Sequence, residues 1–329
     1  MMNINQYLPK GFSGAVSVRK KGKNVFQQSF GWADSANRRP NYIDTKFPTA
    51  SAGKAFVAVG ILSLIEKGVL SFDHTIGELL QMDFRQIDST ITIRHLLSHM
   101  SGIPDYFDES VMEDYDELWR DYPNYKIRSS KDLLPLFIDK PMMYPKGEKF
   151  QYNNSGYVVL GLLIESVTGK PFDDFLRENV FLPCGMQDTG YYELDRLPQN
   201  CANAYIWDES RKEYYTNIYS VDVKGTGAGG AFTTVPDIER FWDGILGEKL
   251  LSDKMISLMF SPQGGDCYGF GFWLDKTKER SYSPHFEGCD PGVSFWSSYD
   301  REKEWNVTIV SNFGQNVWQI YRDITGLEE

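Results

Sequence analysis

The densest apolar stretch of the chain covers residues 55–65, where Phe56, Val57, Val59, Ile61, Leu62, Leu64 and Ile65 surround most of a helix instead of one stripe. A helix apolar on nearly every side belongs inside a core. Before it, the alternating run GAVSVRKKGKNVF, with Gly22 at the turn, predicts a two-stranded hairpin. Beyond Gly68, LSFDHTIGELL predicts a turn and a short helix, and Thr92 caps another that carries Leu96 and Leu97 and stops at Gly102. An apolar helix follows from about Ser155 to Gly169 and Pro171, then one over residues 171–180, and Thr234 with Asp237 marks a further start. In the last third, CYGFGFWLDK, GVSFWSSYD and EWNVTIVSNF predict three strands, and residues 316–325 a closing helix. Residues 105–146 are the least patterned; a short helical stretch is expected near 131–138, and a substrate-facing insertion fits the rest. The expected fold is α+β: an antiparallel sheet built from both chain ends (about 1–75 and 265–329), flanked by helices, with a mostly helical lobe inserted at about 76–264, all in one unit.

Composition narrows the function classes. With 329 residues, 41% of them hydrophobic and 15% aromatic, the chain can bury a large core. Its 34 basic and 45 acidic residues give a net charge of -11, which argues against nucleic acid or an anionic membrane surface as partner. No run reaches the roughly 20 apolar residues of a membrane span, and MMNINQYLPKGFSG lacks a signal-peptide core, so a soluble cytoplasmic protein is expected. Cys184, Cys201, Cys267 and Cys289 show no C-x-x-C spacing, so neither a disulfide framework nor a zinc knuckle is indicated. His95 and His99 are four apart, but nothing completes an H-E-x-x-H pattern, and capping and packing roles are expected with no metal.

The chemistry begins where TASAGK enters the apolar helix. Ser51 stands at the expected N-cap, and Lys54 follows three residues later, so one turn returns its ammonium to the hydroxyl at the positive end of the helix. The same spacing recurs at Ser17 and Lys20, but there it lies in the hairpin, where the lysine is an ordinary solvated charge. Tyr152, in QYNNSGY, sits on a turn just before a helix; beside a lysine ammonium, a phenol loses its proton more easily and can act as a general base. Asn154 can hydrogen-bond an acyl group or cap the helix. HFEGCDPGVSFW puts Gly288 between two strands, where a substrate can approach and the Cys289 N–H can act as an oxyanion donor beside that of Ser51; a plain tight turn at 290–292 accounts for the same residues.

Taken together, SAGK at Ser51, HLLSHMSGIPD at His95, YNN at Tyr152 and GCDPGVSF at Gly288 resemble, in order and separation, the serine β-lactamase and penicillin-binding protein superfamily. Within it the resemblance is to the class C-like branch with D-amino-acid peptidases and carboxylesterases, and it covers essentially the whole chain, including FSGAVSV, LPCGMQDTGYY and AGGAFTTVPDIERF. It implies an acyl-serine mechanism without metal or organic cofactor. Ser51 would be the nucleophile, Lys54 its proton-handling partner, Tyr152 the general base and Asn154 a substrate-contacting amide. The third motif departs from the family's Lys-Thr-Gly or His-x-Gly: Phe286 stands where the cation belongs, Glu287 follows, and His285 is one residue early. Either a bulge returns His285 to the site or the group that would bind a substrate carboxylate is missing. Neither Lys276-Thr277-Lys278 nor Lys224-Gly225-Thr226-Gly227 precedes the right strand. The function expected is hydrolysis of a small-molecule or short-peptide ester, amide or β-lactam-like substrate through an acyl-enzyme on Ser51. A D-amino-acid peptidase or amidase, or a non-catalytic penicillin-recognising protein, are the alternatives.

Overall fold

A computed structural model describes residues 4–276 and 282–326. Both ends of the chain meet in a six-stranded antiparallel sheet. The N-terminal hairpin supplies β1 (Gly14–Lys20) and β2 (Lys23–Phe30); the C-terminal part supplies β3 (Trp273–Lys276), β4 (Tyr282–Asp290), β5 (Val293–Asp300) and β6 (Trp305–Ser311). Their spatial order is β2-β1-β6-β5-β4-β3, with Gly14 opposite Ser311 where the two ends join. The longer helices are α1 (Lys54–Glu66), α2 (Asn154–Thr168), α3 (Val235–Leu246) and α4 (Val317–Thr325); α1, α3 and α4 face the sheet, and α2 packs on α1.

Alternation along the strands separates two apolar faces. Val16, Val18, Trp296, Val307 and Ile309 meet Val317, Ile320 and Ile324 of α4 on one side. Ala15, Phe286, Phe295 and Val310 join the larger core on the other, with Phe56 of α1 and Phe241 and Trp242 of α3. Every α1 residue from Lys54 to Leu64 is buried, as its apolar circumference requires. α3 lies on the sheet although it falls within the inserted segment: Trp242 donates to Ser297 Oγ at 2.9 Å, and Glu239 accepts from Ser17 Oγ at 2.6 Å. That bond accounts for Ser17, and Lys20 is exposed at the end of its strand.

Several local expectations change. The fourth C-terminal strand, β4, was hidden by its Gly-Cys-Asp-Pro-Gly end, which reads as turn but carries the ladder as far as Asp290 opposite Val293. The helix capped by Thr92 ends at Leu97, with His99 taking the left-handed conformation (φ 56°), so Gly102 lies beyond its stop. α2 begins one residue earlier than expected, capped by Asn153, whose side chain accepts from the Gly156 N–H at 2.7 Å, and it ends on Gly169 as expected. The segment near 131–138 is a 3-10 helix, Ser130–Leu136. His95 Nδ1 is paired with the Thr92 hydroxyl and His99 Nδ1 accepts from the Asn153 N–H, so both histidines cap and pack. All four cysteines are free thiols. Of Lys276-Thr277-Lys278, Lys276 ends β3 and the other two lie outside the described residues. Among the described residues, no helix is long and apolar enough to cross a membrane.

Candidate active site

Ser51 is not a helix N-cap. It sits second in a 3-10 turn, Ala50–Gly53, that precedes α1, and Gly53 takes the cap position of the helix. Ala50 adopts φ 48°, a left-handed conformation that costs a residue with a side chain about 1 kcal/mol. Tertiary hydrogen bonds hold it there: Gly230 N–H donates to Ala50 O at 2.9 Å and Thr49 N–H to Ala231 O at 2.8 Å. The GTGAGG loop, which reads as flexible in sequence, is thus a clamp on the serine turn, itself anchored by Gly227 N–H on Ser130 Oγ at 3.1 Å. Two glycines allow the close approach. A Cβ at Gly229 would lie 2.4 Å from Ala50 O, and one at Gly288 would lie 2.7 Å from the backbone nitrogens of both Ser51 and Ala52. β4 is therefore pressed against the turn, whose first N–H groups have no intrahelical acceptor.

Lys54 is buried beneath Ser51. Its ammonium nitrogen donates to Ser51 Oγ at 3.0 Å, Asn154 Oδ1 at 2.8 Å and Ala228 O at 2.6 Å, one acceptor for each of its three protons. Burial lowers its pKa to about 8, against the pull of the carboxylates of Glu109, Asp105, Asp290 and Asp222. The Tyr152 ring centre is 4.8 Å from the same nitrogen, and its hydroxyl hydrogen-bonds the Ser51 side chain. His99, at 4.5 Å, and Trp273, stacked at 5.7 Å, fix that ring. Burial, reinforced by Glu109, raises the Tyr152 pKa well above its ordinary value, although the bond to Ser51 opposes this. Tyr152 accordingly keeps its proton near neutrality while a fraction of Lys54 does not.

Asn154 holds Lys54 with its amide oxygen and donates through Nδ2 to Phe107 O at 3.0 Å, so both ends of the amide are engaged at the edge of the cavity. A residue that sequence reasoning passed over positions it. Asp105 accepts from the N–H groups of Asn154 (2.9 Å) and Ser155 (3.0 Å), a carboxylate on the start of α2. Burial raises its pKa to about 6 despite those bonds.

His285 does not reach the site. The β4–β5 register runs unbroken from His285–Ser298 to Asp290–Val293, so no bulge rotates it. Strict alternation then puts Phe286, Gly288 and Asp290 on the Ser51 side and His285 on the other, where its ring stacks on Trp296 at 4.2 Å and its Nδ1 meets Asp275 at 3.0 Å. Phe286 fills the cation's place with a ring packed on Phe56, Phe241 and Trp242. Gly288 and Cys289 are brought to the site: Gly288 against the Ser51 backbone, and Cys289, together with Ser51 and Asn154, on the wall of a cavity of about 750 Å³. Residues 106–116, part of the unpatterned insertion, form another wall.

Comparison with known proteins bears on the fold and the family. The family model described as Beta-lactamase matches residues 6–319. Two proteins of Bacillus subtilis (strain 168), a penicillin-binding protein and the putative penicillin-binding protein PbpX, are each 29% identical, over 302 and 315 residues. The matches cover 86% and 95% of this chain and 64% and 74% of the relatives, so the chain spans about two thirds to three quarters of their length. The crystal structure of a penicillin binding protein from Bacillus halodurans superposes with a TM-score of 0.94 at 36% identity, covering 99% of this chain and 100% of that one. D-amino acid amidase from Ochrobactrum anthropi SV3 shares the fold, with a TM-score of 0.78 at 22% identity over 99% of each chain. From the serine turn to the sheet that closes on it, the chain belongs to the beta-lactamase family, within the superfamily of penicillin-binding-protein-like serine hydrolases.

Proposed function

We propose that the protein hydrolyses small esters or amides that lack an anchoring carboxylate, through an acyl-enzyme on Ser51. The observation that carries this reading is the buried Lys54 amine, 3.0 Å from Ser51 Oγ, with its pKa lowered to about 8. In the proposed mechanism neutral Lys54 takes the hydroxyl proton as Ser51 Oγ bonds to the acyl carbon. The developing oxyanion is held by the N–H groups of Ser51 and Cys289. Tyr152 passes its own proton to the leaving group and recovers one from Lys54, and water then cleaves the acyl-serine bond by the reverse relay. Asn154 positions Lys54 in this scheme, a role its hydrogen bonds support better than direct contact with substrate.

Phe286 supports the restriction on substrate, because a penicillin carboxylate finds no cation there. A D-amino-acid amide or short peptide would use the same residues with a different leaving group. Initial rates with p-nitrophenyl butyrate, a D-amino-acid p-nitroanilide and benzylpenicillin separate these cases. The ester or anilide is expected to exceed penicillin in kcat/KM by about tenfold to a hundredfold, the worth of one charge-assisted hydrogen bond. Penicillin turnover equal to the better of the two contradicts the restriction. Covalent labelling by penicillin with no turnover of any substrate supports a binding protein instead.

A further inference from the structure

The cavity beside Ser51 is one-sided in charge. Glu109, Glu113, Asp114, Asp116, Asp222 and Asp290 line it, and among the described residues no lysine, arginine or histidine does. Asp290 is the informative member. It follows Cys289 on β4, lies on the Ser51 side of the sheet and lines the cavity, yet among the described residues its half-buried carboxyl group has neither hydrogen bond nor ion pair. Its neighbour Asp222 accepts a hydrogen bond from the Tyr115 hydroxyl at 2.9 Å. Burial and repulsion from Asp222 raise the Asp290 pKa to about 8, and burial raises that of Asp222 to about 6.

A carboxyl group drawn out of water without a partner holds its proton, and a cation placed beside it restores the charge. Lys54 is not that partner, since its three protons are taken by Ser51, Asn154 and Ala228. Tyr106, Phe107, Tyr115 and Phe232 on the same walls offer rings to the body of an organic cation.

We infer that the acyl substrate carries a protonated amine, received by Asp290 with Asp222 behind it while the acyl carbon lies at Ser51. The position of the acyl carbon rests on the acyl-serine reading; the cation site does not. An ammonium in this cavity would release the Asp290 proton to solvent and gain the carboxylate so formed, with the aromatic walls around it, whereas a carboxylate in the same place would meet the like charge of the other acids.

Two experiments test this separately from catalysis. In the first, binding of hexylamine, hexanol and hexanoate is followed by melting temperature and calorimetry in wild type and in Ser51→Ala. Hexylamine is expected to bind about tenfold or more tightly than hexanol in both proteins, and hexanoate more weakly than either, a tenfold ratio being about 1.4 kcal/mol. In the second, kcat/KM is compared for the p-nitrophenyl esters of aminohexanoic and heptanoic acid and the half-ester of pimelic acid, which differ only in the distal group. The aminohexanoate is expected to lead, the pimelate to trail, and the ratio of aminohexanoate to heptanoate to fall towards one in Asp290→Asn and in Asp222→Asn. Should Asp290→Asn fail to fold by circular dichroism, Asp222→Asn carries the comparison. Equal binding of hexylamine and hexanol, or a kinetic ratio unchanged in the folded variants, overturns the inference. Turnover that persists in Ser51→Ala overturns the acyl-serine reading and leaves the binding result standing.

Discussion

Ser51→Ala is expected to lower kcat/KM for every ester or amide the protein accepts by at least about 10⁴-fold, as when an acyl-enzyme nucleophile is lost and only binding and oxyanion stabilisation remain. The fold should be nearly indifferent to the change. Ser51 lies in a turn held by its backbone, through Gly230 on Ala50 and Ala231 on Thr49, and not by its side chain. Without the hydroxyl, Lys54 keeps Asn154 and Ala228 as acceptors, so the loss is one hydrogen bond of about 1 kcal/mol. Melting should therefore shift by no more than about 4 °C. Parallel measurement of hydrolysis and thermal unfolding checks both halves. A large drop in melting temperature would make the serine structural, and retained activity would remove it from the chemistry.

The second large effect concerns Lys54 and its pH dependence. With the pKa lowered to about 8 by burial, the neutral amine grows as pH rises, so wild-type kcat/KM should increase about tenfold per unit below pH 8 and level above it. Lys54→Met should lose about 10³-fold and the rising limb with it. The stability consequence has the same sign. Lys54 binds its proton more weakly folded than unfolded, so its contribution is fully present above the unfolded value of 10.5 and is lost as pH falls through about 8. A rate profile that still climbs well beyond pH 10 would assign the base instead to Tyr152, whose pKa burial has raised.

What could be read from the chain follows from how locally each feature is determined. Ser51 and Lys54 meet because three residues make about one turn, whether the turn is 3-10 or α, so that pairing survives the misplaced cap. The need for glycine at 288 and 229 shows in sequence only as glycine. Its cause, a backbone approach to the serine turn, belongs to contacts between residues more than 170 positions apart. Asp105 escaped notice for the same reason, since its partners on α2 lie 49 and 50 residues away. The strained φ of Ala50 has no local signal at all; it is imposed by Gly230. His285 is the instructive case. Period-two alternation from Gly288 already places it on the far face, but one bulge would reverse that, and only the unbroken pairing with β5 excludes the bulge.

The acidic cavity was legible in part. The excess of acidic residues is visible in composition, and the unpatterned 105–146 segment fits a substrate-facing insertion. That Asp222 and Asp290 converge on one cavity required the fold, because one lies within the inserted segment and the other ends a strand of the sheet.

The central claim, a nucleophilic serine activated by its buried lysine, is tested most directly by labelling with a fluorophosphonate and mapping the modified peptide by mass spectrometry. Ser51 Oγ should displace fluoride and carry the phosphonyl group in wild type, while Ser51→Ala stays unlabelled. Wild-type labelling should also strengthen as pH rises through about 8, following the neutral fraction of Lys54. An unlabelled wild type, or a label found on another residue and retained in Ser51→Ala, would contradict the account.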